Sequence, residues 1–229
     1  MSPSHQKGFS WLSVLLGLFI LIAISGMIPL LFLKGAKSGD RTRALAKAKS
    51  IVGGLMIFKK KYGAYPCDAT RKILENDGID FLPPGKDANA YLAQLLASQI
   101  LASEKTFFAP GMEAFHQGDD RIDTADTILA QGENSFAYIM TTAGKPLTDT
   151  RSYTPLVLAA VKHPGIIPIF DTKVYRDRFV CGLADGSSMV GRLDENGSAL
   201  SKGRIHFFQT GKDSLFGTDF PIIKYPLQP

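Results

Sequence analysis

Cysteine is scarce in this chain: Cys67 and Cys181 are the only two among 229 residues. Two thiols cannot supply the sulfur ligands of a four-cysteine zinc site. They can form one disulfide, which is what we expect if they lie outside the cytosol, or they can remain as two buried reduced thiols. The sequence leaves both outcomes open.

Recognisable catalytic motifs are missing as well. His116, His163 and His206 lie far apart, with no metal-ligand or nucleophile-elbow spacing around them, and there is no phosphate-binding glycine loop. We therefore predict that the protein is not an enzyme and has no cofactor. A membrane-tethered enzyme or ligand-binding domain outside the cytoplasm is the alternative, because side chains distant in sequence can meet in a fold.

The basic residues do not form a nucleic-acid-binding pattern, although the net charge is +5 and the pI is near 9.1. They concentrate between Lys34 and Lys49, and beyond Tyr62 the charges nearly balance, without interleaved basic and aromatic residues. We predict no nucleic-acid partner. The basic run is interpreted as a solvated helix face or a contact with lipid headgroups.

Charged side chains are absent between Lys7 and Lys34. A helix over residues 9–33 would be roughly 37 Å long, against about 30 Å of bilayer hydrocarbon, so this segment is predicted to cross a membrane. It is longer than the apolar core of about 7–15 residues in a secretory signal peptide. Pro29 should kink the helix, because proline removes a backbone hydrogen-bond donor.

Residues 34–62 are predicted to continue this helix in amphipathic form. The apolar residues recur at spacings of three and four, which places them on one helix face: Leu45, Ala48, Ile51, Val52, Leu55, Phe58 and Tyr62. Gly63 can adopt the left-handed C-cap conformation, and Pro66 prevents continuation of the helix. A globular domain, residues 63–229, is expected to follow.

The globular domain is predicted to be α+β, with its strands in the second half. Residues 67–87 are expected to be rich in loops, residues 89–101 to form a helix, and the KTFFAP segment at 105–110 to be extended. Runs of β-forming residues begin at Ser135, Thr154, Ile166, Arg178 and Ser187. Asp185-Gly186 is typical of a hairpin turn, and the tail from Gly211 is expected to be irregular.

An acidic segment, Gly111–Glu133, separates these two parts of the domain. Four carboxylates fall within eight of its residues: Asp119, Asp120, Asp123 and Asp126. They are candidates for a calcium site, but they lack the glycine turn and the terminal bidentate glutamate of a calcium-binding loop. A solvated loop is the interpretation that we favour.

The N-terminal third resembles type IV pilins and the pseudopilins of type II secretion. The residues that carry this likeness are a short leader ending in Lys7-Gly8-Phe9, the apolar helix with its proline, the amphipathic continuation, and the exit sequence Lys-Tyr-Gly-Ala-Tyr-Pro at 61–66. The later half is similar to pilin-like domains in which a helix packs on an antiparallel sheet.

This resemblance implies a structural subunit of a type IV pilus or a secretion pseudopilus. Residues 1–8 would be a leader that a prepilin peptidase removes by cleavage between Gly8 and Phe9, after which Phe9 is methylated. The apolar helix would lie in the bacterial inner membrane or the filament core, and the domain would be extracytoplasmic. The implied partners are other pilin subunits, the peptidase and the assembly platform.

Two departures from the family pattern shape this prediction. The fifth mature position, usually a glutamate that pairs with a neighbouring N-terminal amine, is Ser13, and Pro29 comes one residue early. An amine without that partner is costly in an apolar filament core, which favours a minor or tip subunit, or an uncleaved membrane anchor. The excess of Lys and Arg after the apolar segment gives a third hypothesis, a cytosolic domain.

Overall fold

The computed structural model describes residues 11–141, 145–147, 150–163, 167–200, 207–208, 214–216 and 221–228. The side chains of residues 12–13, 22–36 and 163 are not part of this description. The chain divides into two compact units, Met1–Ser38 and Gly39–Pro229. Helix α1 spans Trp11–Tyr62 and is 52 residues long.

The described N-terminal part of α1 exposes large apolar side chains. Trp11 is 77% exposed, Phe19 is 73% exposed and Leu16 is 62% exposed. In the part of the chain that the structure describes, we find no helix with the length and apolar character needed to cross a membrane. The predicted membrane segment, residues 9–33, includes many side chains outside that description and stays a prediction.

The C-terminal part of α1 has its predicted apolar face inside the core of the second unit. Of the predicted face, Ala48, Ile51, Val52, Leu55 and Phe58 are fully buried, as is Ala44, whereas Leu45 and Tyr62 are partly buried. Gly54 lies outside the predicted apolar stripe, yet it is buried, and a Cβ atom there would lie 3.1 Å from Cγ of Leu101. The helix ends where Gly63 takes a positive φ of 79°, as predicted.

Three further short helices precede the sheet. They are α2 (Asp68–Asn76), α3 (Ala88–Ala97) and a 3₁₀ helix, η1 (Glu104–Phe107). The expectation of loop across 67–87 was therefore wrong at α2, and the extended KTFFAP segment was wrong at η1. Every residue of α3 is buried, and α3 packs against strand β1 of the sheet, Phe136–Met140.

The strands lie in the second half of the chain, as predicted. After β1 come β2 (Pro155–Ala159), β3 (Val161–His163), β4 (Ile169–Phe170), β5 (Arg178–Leu183), β6 (Ser188–Leu193), β7 (Ala199–Leu200) and β8 (Ile222–Lys224). Within the described residues, six strands form an antiparallel sheet in the order β7-β6-β5-β2-β1-β8, and β3 pairs with β4 separately. The α+β class is confirmed.

The sheet register agrees with the predicted turn and corrects the predicted tail. Asp185-Gly186 joins β5 to β6, with Gly186 at a φ of 84° and the Asp185 carboxylate accepting a hydrogen bond from the Ser187 amide at 2.9 Å. The tail was expected to be irregular, yet β8 pairs with β1, with Ile223 opposite Ile139. The short apolar run at 222–224 is stabilised as an edge strand by this pairing.

Candidate functional site

The four aspartates proposed as calcium ligands are not brought together in the structure. The Asp120 carboxylate accepts hydrogen bonds from Ser103 Oγ at 2.8 Å and from the Glu104 amide at 3.0 Å, and it pairs with Lys105 Nζ at 2.6 Å. Asp123 accepts a hydrogen bond from Thr127 Oγ1 at 3.1 Å. Asp126 is exposed. These side chains make separate local contacts, and of the four only Asp119 belongs to the carboxylate cluster found among the described residues.

Asp119 belongs instead to a different cluster of three carboxylates, which we call the acidic triad: Glu104, Asp119 and Glu133. One carboxylate oxygen from each of the three lies within 4.8 Å of the others. Glu104 is fully buried, Glu133 is 4% exposed, and Asp119 is exposed. The triad therefore has two buried members and one that faces solvent.

Backbone amides hold two members of the acidic triad in place. Glu104 Oε1 accepts a hydrogen bond from the Leu129 amide at 2.6 Å. Glu133 accepts two, from the Ala130 amide at 2.7 Å and from the Asp119 amide at 3.2 Å. The second Glu104 oxygen, Oε2, is buried and has no hydrogen-bond partner among the described residues.

The electrostatics of the acidic triad penalise its fully ionised form. Burial raises the pKa of the Glu104 carboxyl, and the charges of Glu133 and Asp119 raise it further, against the lowering effect of the hydrogen bond from Leu129. In contrast, the hydrogen bond from Lys105 lowers the pKa of Asp120, which lies outside the triad. The Lys105–Asp120 ion pair therefore stabilises the ionised form of Asp120, which is not a member of the triad.

The sequence contained no signal that singled out Glu104 or Glu133. Glu104 lies 15 residues before Asp119, and Glu133 lies 14 residues after it, so no local spacing connects the three. Glu104 is placed by η1, and Glu133 is placed by the turn that precedes β1.

Of the two outcomes that the sequence left open for Cys67 and Cys181, the structure has the free thiols: both are buried and no disulfide joins them. Cys67 is the N-cap of α2, and its Sγ atom lies 3.6 Å from Thr70 Oγ1. Cys181 lies in β5, opposite Leu158 of β2 and Met189 of β6. Each sulfur atom packs among its own neighbours. Burial also raises the pKa of the Cys181 thiol, which keeps it protonated and unreactive.

The environment of Cys67 is a buried polar network that joins α2 to α3. Thr70 Oγ1 accepts a hydrogen bond from the Cys67 amide at 2.8 Å and donates to Gln94 Oε1 at 2.7 Å. Gln94 Nε2 donates to the Cys67 carbonyl at 3.2 Å. Because these polar groups are paired within the network, the arrangement stabilises the contact between α2 and α3.

Most of the remaining predicted site residues lie, wholly or by their side chains, outside the part of the chain that the structure describes. Gly8 and Phe9, the predicted cleavage site, lie outside the described residues. Ser13 and Pro29 lie within α1, but their side chains are among those not described. For the enzyme alternative, His116 is exposed, whereas the side chain of His163 and the whole of His206 fall outside the description.

Comparison with known proteins adds no family assignment to this geometry. No protein family model, curated protein or solved structure matches this chain.

Proposed function

We propose that this protein is a pilin-like or pseudopilin subunit, a structural component of a type IV pilus or a type II secretion-type filament. In this proposal the N-terminal part of α1 inserts in the bacterial inner membrane or in a filament core. The domain lies on the extracytoplasmic side and contacts other subunits. The protein catalyses no reaction and requires no cofactor for assembly.

The observation that carries the proposal is the contrast between two parts of α1. Ala48, Val52 and Leu55 are fully buried in the core of the second unit. In the first unit, Trp11, Leu16 and Phe19 are each more than 60% exposed, at 77%, 62% and 73%. Exposed large apolar side chains on one helix indicate a surface that lipid or another helix covers.

The kind of subunit is inferred from the sequence around the helix start. Ser13 stands where an acidic residue would pair with the N-terminal amine of a neighbouring subunit. A buried amine without a counter-charge is unfavourable in a filament core. We therefore propose a minor or tip subunit, or a pilin-like anchor that stays in the membrane, in preference to the major shaft subunit.

Determination of the mature N terminus tests the processing step. The full chain is expressed with a prepilin peptidase, and the purified protein is sequenced from its N terminus. We expect methylated Phe9 as the first residue, and a Gly8→Val control should keep residues 1–8. An intact Met1 in the protein without a substitution would contradict processing and leave only the uncleaved membrane anchor.

Site-specific crosslinking tests the assignment as a subunit. A photoreactive amino acid replaces Leu16 in α1, and the matched control carries it at Ile73 in α2, which is 41% exposed. We expect the Leu16 position to capture a second chain with a prepilin-type helix, and the Ile73 position to capture none through that helix. Adducts of Leu16 with lipid alone would contradict a filament role.

A further inference from the structure

We propose that the acidic triad, Glu104, Asp119 and Glu133, binds a single hard divalent cation, with calcium as the ion to test first. This site differs from the four-aspartate set suggested by the sequence and shares only Asp119 with it. It is also independent of the proposed filament role, because every residue that forms it lies between α3 and β1.

The first argument is the concentration of negative charge. Three carboxylate oxygens lie within 4.8 Å of one another, and two of their three side chains are buried or nearly so. Like charges at this separation repel each other strongly in a partly buried site. The adjacent cation, Lys105, forms its ion pair with Asp120 at 2.6 Å and also interacts electrostatically with Asp119, the exposed member of the triad.

The second argument is the unpartnered oxygen of Glu104. Oε2 is buried and accepts no hydrogen bond from the described residues, although an unpaired buried acceptor is costly. Oε1 of the same carboxylate is fixed by the Leu129 amide at 2.6 Å, so the orientation of the group is set. A cation bound at Oε2 would satisfy the one buried side-chain oxygen that the described part of the protein leaves without a hydrogen bond.

The third argument is the close approach of the loop at Gly118. A Cβ atom at this position would lie 2.5 Å from Cβ of Glu104 and 3.3 Å from its Oε2. Glycine therefore allows the backbone next to Asp119 to pass directly over the Glu104 carboxylate. This approach brings an exposed carboxylate from the loop, Asp119, to a buried one on η1, Glu104.

The donor chemistry favours a hard cation. The triad supplies only carboxylate oxygens, which suit calcium, magnesium and manganese, whereas thiolate and imidazole ligands are absent from it. Calcium accepts six to eight oxygen ligands in variable geometry, and water can complete its shell on the exposed side of Asp119. Magnesium requires a stricter octahedron, so it serves as the discriminating probe.

Thermal unfolding of the full chain in detergent tests the site. The protein is stripped with a chelator and then titrated with calcium chloride or magnesium chloride. We expect calcium to raise Tm by several degrees, and isothermal titration to give one ion per chain. Glu104→Gln and Asp119→Asn should each reduce the affinity by at least tenfold, because each removes one charged ligand.

Asp126→Asn is the matched control, since Asp126 lies in the same acidic segment, is exposed and is outside the triad. It should keep the full response to calcium. Glu104→Gln keeps an acceptor for the Leu129 amide, so the variant is expected to fold, and its secondary structure is verified by circular dichroism.

A response to magnesium that the triad variants abolish would support the site with a different ion. The proposal is overturned if neither ion changes Tm, or if the response is the same in the triad variants and in Asp126→Asn.

Discussion

Val52 of α1 lies directly against Gly182 of β5. A Cβ atom added at Gly182 would overlap Cγ1 of Val52, and it would lie 2.9 Å from Cγ2 of Val157 and 3.0 Å from the Ala48 carbonyl oxygen. The helix therefore approaches the sheet so closely at this strand that only glycine fits beneath it. This contact fixes the packing of the C-terminal part of α1 on the sheet.

Gly182→Ala is therefore expected to destabilise the domain. The added methyl group must displace the helix or neighbouring side chains, and such overpacking costs about 1–3 kcal/mol. Urea unfolding gives the free energy of unfolding. Gly53→Ala in α1 is the matched control, since nothing lies within 4 Å of a Cβ there, and it should stabilise the helix by about 0.5–1 kcal/mol. Equal effects of the two substitutions would contradict the close approach.

A double-mutant cycle tests whether Val52 is the residue that excludes the extra methyl group. Val52→Ala alone leaves a cavity and should lower the free energy of unfolding by about 1–3 kcal/mol. Combined with Gly182→Ala, it makes room for the new Cβ, so the double variant should be more stable than the sum of the single effects predicts. If the two changes in the free energy of unfolding are strictly additive, Val52 does not contact the methyl group introduced at position 182.

The two thiols are expected to be free and unreactive in the native protein. Cys67 is 1% exposed and Cys181 is fully buried, and burial raises the pKa of the Cys181 thiol. After thiols are trapped at cell lysis, titration in denaturant should count two free thiols per chain, and titration without denaturant should count almost none. A count near zero in denaturant would indicate a Cys67–Cys181 disulfide, the other outcome that the sequence allows.

Asp120 should make the stability of the domain depend on pH in the acid range. Its folded-state pKa is lowered from 3.8, chiefly by the hydrogen bond from Lys105, so the ionised form is favoured in the folded state. The stabilisation is fully present above the unfolded-state pKa and is lost as the pH falls below 3.8 through the folded-state pKa. Because the Asp120 carboxylate is near the surface, its contribution to the free energy of unfolding is small and weakens with added salt.

Comparison of Asp120→Asn with Asp126→Asn measures this contribution. Urea unfolding is followed from neutral pH down to the acid range. The Asp120 variant should be less stable than the unmodified protein at neutral pH, and the difference should shrink as the pH falls. Asp126→Asn should follow the unmodified protein throughout. A difference that stays constant with pH would rule out the ionised Asp120–Lys105 pair as its cause.

Regular periodicity allowed the main elements to be predicted from the sequence. The stripe that contains Ala48, Val52 and Leu55 predicted the buried face of α1, and Asp185-Gly186 predicted the β5–β6 hairpin. These signals are local, since each depends on residues within a few positions of one another. They do not indicate which strand the helix lies against.

The missed features depend on contacts between distant residues. Helix α2 is short, and Thr70, which caps it together with Cys67, also donates a hydrogen bond to Gln94, 24 residues away. The acidic triad unites Glu104 with Glu133 across 29 positions, so no motif spacing marks it. The burial of Gly54 against Leu101 likewise follows from tertiary packing, because Gly54 lies outside the predicted apolar stripe.

The side of the membrane on which the domain lies is the central claim of the proposed function, and thiol labelling tests it most directly. Because the native thiols are buried, a cysteine introduced at exposed Lys72 or Glu195 becomes the only reactive thiol of the folded chain. Spheroplasts carrying either variant are treated with a membrane-impermeant maleimide, with and without lysis. The extracytoplasmic pilin-like domain predicts full labelling of both variants in intact spheroplasts. Labelling only after lysis would place the domain in the cytosol and contradict the account.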